Sequence, residues 1–140
     1  VGNKWPLKAW PLNYWKELER SIGDKYSISW QQGLDNMEDY FEWVNSCDTI
    51  VTNDSFGLHI AIALKKKIVA LFGPTNHADN CLYDLGCRMY PKEFECSKYP
   101  CHENKCVHFE NTCIELISPQ DVYEKISHMH SFTKEETLPL

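Results

Sequence analysis

Between Asn53 and His59 the chain reads Asn-Asp-Ser-Phe-Gly-Leu-His, gathering a carboxylate, a hydroxyl, a glycine and an imidazole within seven positions. Short polar residues ahead of an apolar helical run are helix-capping types. The helix start itself offers unpaired backbone N–H groups and the positive end of a dipole. Together these make a site for an anion, and phosphate is the commonest one. Gly57 permits close backbone approach, and Ser55 can cap the helix or donate to an oxygen. A structural reading stands beside this one: Asp54 and Ser55 as caps only, and His59 as a satisfied partner on the first turn.

The elements that must position these residues follow from the flanking pattern. Thr49 to Thr52 is a β-branched run suited to a buried strand, and Asn53-Asp54-Ser55 stops it. Phe56 to Leu64 places Leu58 and Ile62, with Ile60, Ala61 and Ala63 beside them, at helical spacing. After Lys65-Lys66-Lys67 comes a second apolar run, Ile68 to Phe72, closed by the turn signal Gly73-Pro74. Two wholly apolar short strands joined by a helix predict a parallel sheet covered on both faces, an α/β fold. In such sheets ligands bind beyond the carboxyl ends of the strands. The loops Asn53–Gly57 and Gly73–Thr75 both follow strands, so both are expected to face one cleft.

The stretch NDSFGLHIAIALKKKIVALFGPT resembles the donor-binding half of the heptosyltransferase-type glycosyltransferases (glycosyltransferase family 9). That family has Asp-Ser/Thr, a small residue, a His one turn into an Ala-rich helix, then a strand and Gly-Pro-Thr. Here Phe56 stands where the family often has Gly, with Gly57 next. Lys8-Ala9-Trp10-Pro11 is similar to the family's Lys-x-Trp-Pro motif, whose lysine points to the phosphates of a sugar nucleotide. On physical grounds a lysine before a helix start at the ligand edge can neutralise a diphosphate as a point charge.

The resemblance implies a Rossmann-like three-layer parallel sheet, the carboxyl-terminal half of a GT-B glycosyltransferase. It implies donor-binding residues Lys8, Asp54, Ser55, Phe56, Gly57, Leu58 and His59. No catalytic residue is expected in this stretch, since the acceptor and the base belong to an amino-terminal domain that is not here. The fragment alone is therefore expected to be inactive. The implied substrates are a nucleotide-diphosphate sugar, ADP-heptose-like, and a lipopolysaccharide or other glycan acceptor. No cofactor is required, and the implied location is the cytoplasm or the inner face of the bacterial inner membrane. The alternative is a non-catalytic nucleotide or sugar-phosphate binding module, or a remnant.

Composition sets the outer bounds. The 140 residues, 43% hydrophobic and 13% aromatic, suffice for one domain with a real core. A net charge of −6 argues against a general nucleic-acid binder. No run approaches a membrane-spanning length and no signal-peptide pattern is present. The opening Val1-Gly2-Asn3 reads as loop, and the chain is expected to be a piece of a longer protein that begins just after a strand.

Seven cysteines, an odd number, argue for a reducing compartment over a disulfide scaffold. Cys96, Cys101, Cys106 and Cys113, with His102 and His108 among them, could bind a structural zinc. Their spacings of four, four and six intervening residues include no CxxC pair. Reduced or partly paired cysteines in an irregular loop remain the other reading.

The remaining elements complete one domain. Trp15, Leu18 and Ile22 recur at helical spacing after Pro11, and Gly23 ends that helix. Lys25 to Trp30 reads as a strand leading into a ligand-edge loop through Asn36. Met37, Tyr40, Phe41 and Val44 form one face of a helix capped by Asn36. In the family this region approaches base and ribose, so Asp35 and Glu38 are candidates there, although an acidic helix start explains Glu38 equally. Asn76 to Tyr90 reads as polar and turn-rich. Ser118-Pro119-Gln120-Asp121 starts a last helix through Val122, Ile126 and Met129. The domain is expected over 1–130, with the cysteine-rich loop at 91–113 and a tail at 131–140.

Overall fold

A computed structural model describes residues 5–31, 36–107 and 110–131. In chain order the regular elements are α1 (Leu12–Ile22), α2 (Met37–Ser46), β1 (Thr49–Asn53), α3 (Phe56–Ala63), β2 (Lys67–Leu71), β3 (Gly86–Met89) and α4 (Pro119–Ser131), with short 3-10 turns between them. The three strands form one parallel sheet in the order β1-β2-β3. The fold is α/β and Rossmann-like, as expected.

The position of β2 explains the unbroken apolar run from Ile68 to Phe72. Val69 and Leu71 point to one face of the sheet, into a cluster with Trp10, Leu18, Ile22, Ile114, Val122 and Ile126. Ile68, Ala70 and Phe72 point to the other, into a cluster with Val44, Leu58 and Ala61. A strand flanked by two neighbours and covered by helices on both faces has no solvent side to alternate towards. Helices α1 and α4 thus make one layer, and α2 and α3 the other.

Local signals fix the helix ends. Asn36 accepts from the Asp39 N–H at 2.9 Å and caps α2. Ser118 does the same for α4, accepting from the Asp121 N–H at 3.1 Å. Among the described residues no helix is long and apolar enough to cross a membrane.

Several expectations require correction. Lys25 closes the 3-10 turn Gly23–Lys25, and residues 26–30 join no strand. Tyr26–Trp30 is held by side chains instead, with Trp30 Nε1 donating to Glu19 and Trp43 Nε1 to Ser29. Conversely, the stretch read as turn-rich contains β3, an outer strand with only Met89 buried. Its pairing is supplied by β2, through Ile68 N–H to Leu85 O at 3.0 Å and Phe72 N–H to Met89 O at 2.8 Å. On α2, Val44 is buried while Met37 and Phe41 are exposed, so the expected face is only partly covered. Ser131, assigned to the tail, is the last residue of α4. Asp35, His108 and the rest of the tail lie outside the described residues.

Candidate functional site

The site is built where three loops meet at the carboxyl edge of the sheet. β1 ends at Asn53, and its ladder continues one residue further through Asp54 N–H to Leu71 O at 3.1 Å. That bond fixes Asp54 at the strand end. Asp54 is 8% exposed, the only buried charged or polar residue among the described residues. A buried carboxylate needs partners, and Asp54 Oδ2 has two. Lys8 Nζ lies 2.7 Å away as an ion pair, and the Thr75 hydroxyl donates to the same oxygen at 2.7 Å. Lys8 comes from the loop before α1 and Thr75 from the Gly-Pro-Thr loop after β2. One oxygen therefore ties three segments together.

Each tie is supported from behind. Lys8 also sits over the Trp5 ring, 4.9 Å from its centroid, which favours the ammonium there. Two residues on, Trp10 is 1% exposed and donates through Nε1 to Ile117 O at 2.9 Å. Its backbone N–H donates to Asn53 Oδ1 at 3.4 Å. Gly73 is required by close packing, since a Cβ there would meet Ile114 Cβ at 2.7 Å. The cysteine-rich segment reaches back onto the same loop, with Cys101 N–H donating to Pro74 O at 2.8 Å and Tyr99 Oη to Thr75 O at 3.1 Å.

The start of α3 is the second component. Ser55 stands at the N-cap position but makes no capping hydrogen bond with its side chain, contrary to one expectation. Its hydroxyl is 3.3 Å from Thr52 Oγ1 instead. The Leu58 N–H is engaged by Ser55 O at 3.0 Å, and the Leu58 side chain is in the core. The N–H groups of Phe56 and Gly57 have no acceptor among the described residues. Gly57 has a packing reason as well: a Cβ there would come within 2.6 Å of Tyr40 Oη. Burial of that phenol raises its pKa, so it is a neutral donor at ordinary pH.

Lys8, Asp54, Ser55, Phe56 and Gly57 all wall one cavity of about 1240 Å³. Leu58 and His59 do not, and His59 is exposed. Glu38 is exposed on the first turn of α2 and does not wall the cavity either. Thr75, whose loop was expected at the cleft, bonds Asp54 without lining the cavity, while Tyr40, which lines it, was not among the expected residues. Nothing local marked Tyr40, which the sequence offers only as one residue of an apolar helix face.

Cys96, Cys101, Cys106 and Cys113 line a separate small cavity of about 30 Å³ beneath Leu7 and Pro74. Burial pushes the Cys113 thiol up to about 11. Among the described residues no three His, Cys, Asp or Glu side chains come together to hold an ion.

Comparison with known proteins adds an independent line. The profile of glycosyltransferase family 9 (heptosyltransferase) matches residues 34–108. The chain is 30% identical over 84 residues to lipooligosaccharide heptosyltransferase 2 of Campylobacter jejuni serotype O:6, covering 59% of this chain and 26% of that protein. It is 27% identical over the same length to the serotype O:2 protein. To the Haemophilus influenzae lipooligosaccharide heptosyltransferase 2 it is 39% identical over 44 residues, 31% of this chain and 13% of that one. The match thus spans about a quarter of the length of the Campylobacter relatives. No solved structure matches.

Proposed function

Because this chain belongs to glycosyltransferase family 9, the heptosyltransferase family, we propose that it is the donor-binding domain of a glycosyltransferase of the GT-B architecture. Its donor would be a nucleotide-diphosphate sugar, ADP-heptose-like, and its acceptor a lipooligosaccharide or related glycan held by a further domain. The observation that carries this reading is the convergence of Lys8, Asp54 and Thr75 on one carboxylate oxygen beside the open start of α3.

The chemistry follows from the charges. When a glycosyl group leaves a nucleoside diphosphate, negative charge grows on the diphosphate and positive character on the anomeric carbon. An ammonium has three N–H donors, and Asp54 takes one of Lys8's. The others can meet phosphate oxygens. A carboxylate beside a diphosphate would repel it, but Asp54 is already neutralised by Lys8, so the pair presents no net charge. The Phe56 and Gly57 N–H groups and the α3 dipole then supply the positive end. Donors fixed before the reaction stabilise developing charge without reorganisation, and no metal is needed for that role. Asp54 Oδ1 is left to accept from a sugar hydroxyl. His59 would act from the outer side of α3, if a bound donor extends that far. The location proposed with this chemistry is the cytoplasmic side of the inner membrane.

Calorimetric titration with ADP, UDP, GDP and CDP at fixed salt tests the reading. Saturable binding of one nucleotide is expected, weakened roughly 10- to 100-fold by Lys8→Ala, the worth of one charge-assisted contact. His59→Ala should weaken it less. Binding of no nucleotide by the folded chain, or equal affinity in the Lys8 variant, would overturn it.

A further inference from the structure

We propose that Tyr40 of α2 is a further donor-site residue, whose phenol hydroxyl donates a hydrogen bond to a phosphate oxygen of the nucleoside diphosphate at the start of α3. The inference rests on the donor-binding reading and deepens it, assigning a contact to a helix outside the loops that carry Lys8 and Asp54.

Placement comes from the packing of α2 on α3. Tyr40 stands one turn into α2, whose start is fixed by the Asn36 cap. A Cβ built on Gly57 would lie 2.6 Å from Tyr40 Oη, and 3.6 Å from both Ser55 Oγ and Thr52 Oγ1. The missing side chain at Gly57 is what admits the phenol to the start of α3. Three hydroxyls thereby surround one point, on the turn whose Phe56 and Gly57 N–H groups have no acceptor among the described residues. Tyr40, Thr52, Ser55, Phe56 and Gly57 all wall the large cavity that Lys8 and Asp54 also line.

Hydrogen-bond accounting separates the three hydroxyls. Thr52 donates through Oγ1 to Asn53 O at 3.0 Å, which uses its hydrogen. Thr52 Oγ1 is then left to accept from Ser55, 3.3 Å away. The Tyr40 hydroxyl makes no hydrogen bond with a described residue, and burial is the one cause that raises its pKa. A phenol drawn out of water gains by finding a partner, and in its neutral form it can only donate its hydrogen outward into the cavity or accept. The acceptor it shares with the α3 start is an anion, because the open N–H groups and the helix dipole favour negative charge. A hydrogen bond to an ionised oxygen is roughly twice as strong as one to a neutral oxygen. It strengthens further as the leaving diphosphate gains charge, and the phenol keeps its proton throughout.

The ring is held in place for this contact. It packs against Phe56, with centroids 6.0 Å apart, and against Trp43 at 5.8 Å. It also borders the core cluster that contains Val44 and Leu58. Phe56 is 55% exposed on the cavity wall, and support of the Tyr40 ring gives that exposed ring a purpose. A hydroxyl on a ring already fixed loses little freedom when a ligand arrives.

Tyr40→Phe removes one oxygen, keeps the ring and breaks no hydrogen bond to a described residue, so urea denaturation should show a folded chain. Calorimetric titration with ADP, UDP, GDP and CDP then compares this variant with the unaltered chain and with Lys8→Ala. The diphosphate that the unaltered chain binds should bind Tyr40→Phe roughly 10- to 100-fold more weakly. The phosphorus NMR resonances of that ligand should differ between the two complexes. Its parent nucleoside, titrated by NMR, should bind both proteins alike. Equal diphosphate affinity in Tyr40→Phe, beside a loss in Lys8→Ala, would overturn the role of Tyr40 and leave the donor site standing. An equal loss for the nucleoside would put the hydroxyl on ribose or base and overturn it too. Binding of no diphosphate by the folded chain would overturn both readings.

Discussion

Asp54 concentrates the site's polar chemistry on one atom, Oδ2, which accepts from both Lys8 and Thr75. Sequence alone gave Lys8 and Asp54 to the site by resemblance, yet their ion pair joins residues 46 positions apart and has no local sequence signal. The cysteines illustrate the same limit from the other side. Their spacing left zinc and irregular loop both open, and only the fold shows four of them lining one small cavity. Cys113 is held neutral by burial, with its pKa near 11 instead of the ordinary 9. The neutral thiol is the form the fold favours, so its stabilising contribution is complete below about pH 9 and is lost as pH rises towards 11. Maleimide labelling followed by mass spectrometry should therefore modify exposed Cys81 first and Cys113 last at neutral pH, and Cys113 should become reactive only with increasing alkalinity. Early labelling of Cys113 at neutral pH would contradict its burial.

At the scale of elements, β1, α3 and β2 were legible because each carries a complete local signal. β1 is mostly β-branched, β2 carries the apolar run from Ile68 onward, and the intervening helix is preceded by Asn53-Asp54-Ser55 and followed by Lys65-Lys66-Lys67. β3 was not legible, since an outer strand with one buried residue lacks both an apolar run and a clean alternation. The 26–30 segment shows the converse: it has strand-like composition, but a strand exists only where a neighbour accepts its hydrogen bonds. Contacts between elements also reassign residues. Gly57 looked like a concession to a ligand, whereas α2 packs Tyr40 Oη over it. Gly57→Ala should cost about 1–3 kcal/mol by overpacking. Tyr40→Phe removes the obstructing hydroxyl and should recover most of that loss in the double variant. Urea denaturation of the four proteins of that cycle measures the coupling, and strictly additive effects would show that the Tyr40 contact is not the cause.

For the molecule as a whole, the ligand edge and the core are joined through Trp10. It is buried against Tyr14 and Trp15, bonded to Ile117 O, and linked by its backbone to Asn53. Trp10→Ala should destabilise the fold by about 3–5 kcal/mol. Trp10→Phe, which keeps most of the packing but leaves Ile117 O without the indole donor, should cost about 1–3 kcal/mol. Equal losses in the two variants, measured by denaturant unfolding, would show that the hydrogen bond carries the whole effect. The sequence by itself determined the α/β class, the strand-helix-strand unit at its centre, the caps Asn36 and Ser118 and the family, because these depend on periodicity and local residue chemistry over short spans. Only the tertiary structure decided that Lys8 and Thr75 meet on one oxygen of Asp54, that His59 stays outside the cavity, and that β1 is an edge strand among the described residues. Those outcomes depend on which distant segments the packing of two helix layers brings to one end of the sheet, and no local pattern encodes that juxtaposition.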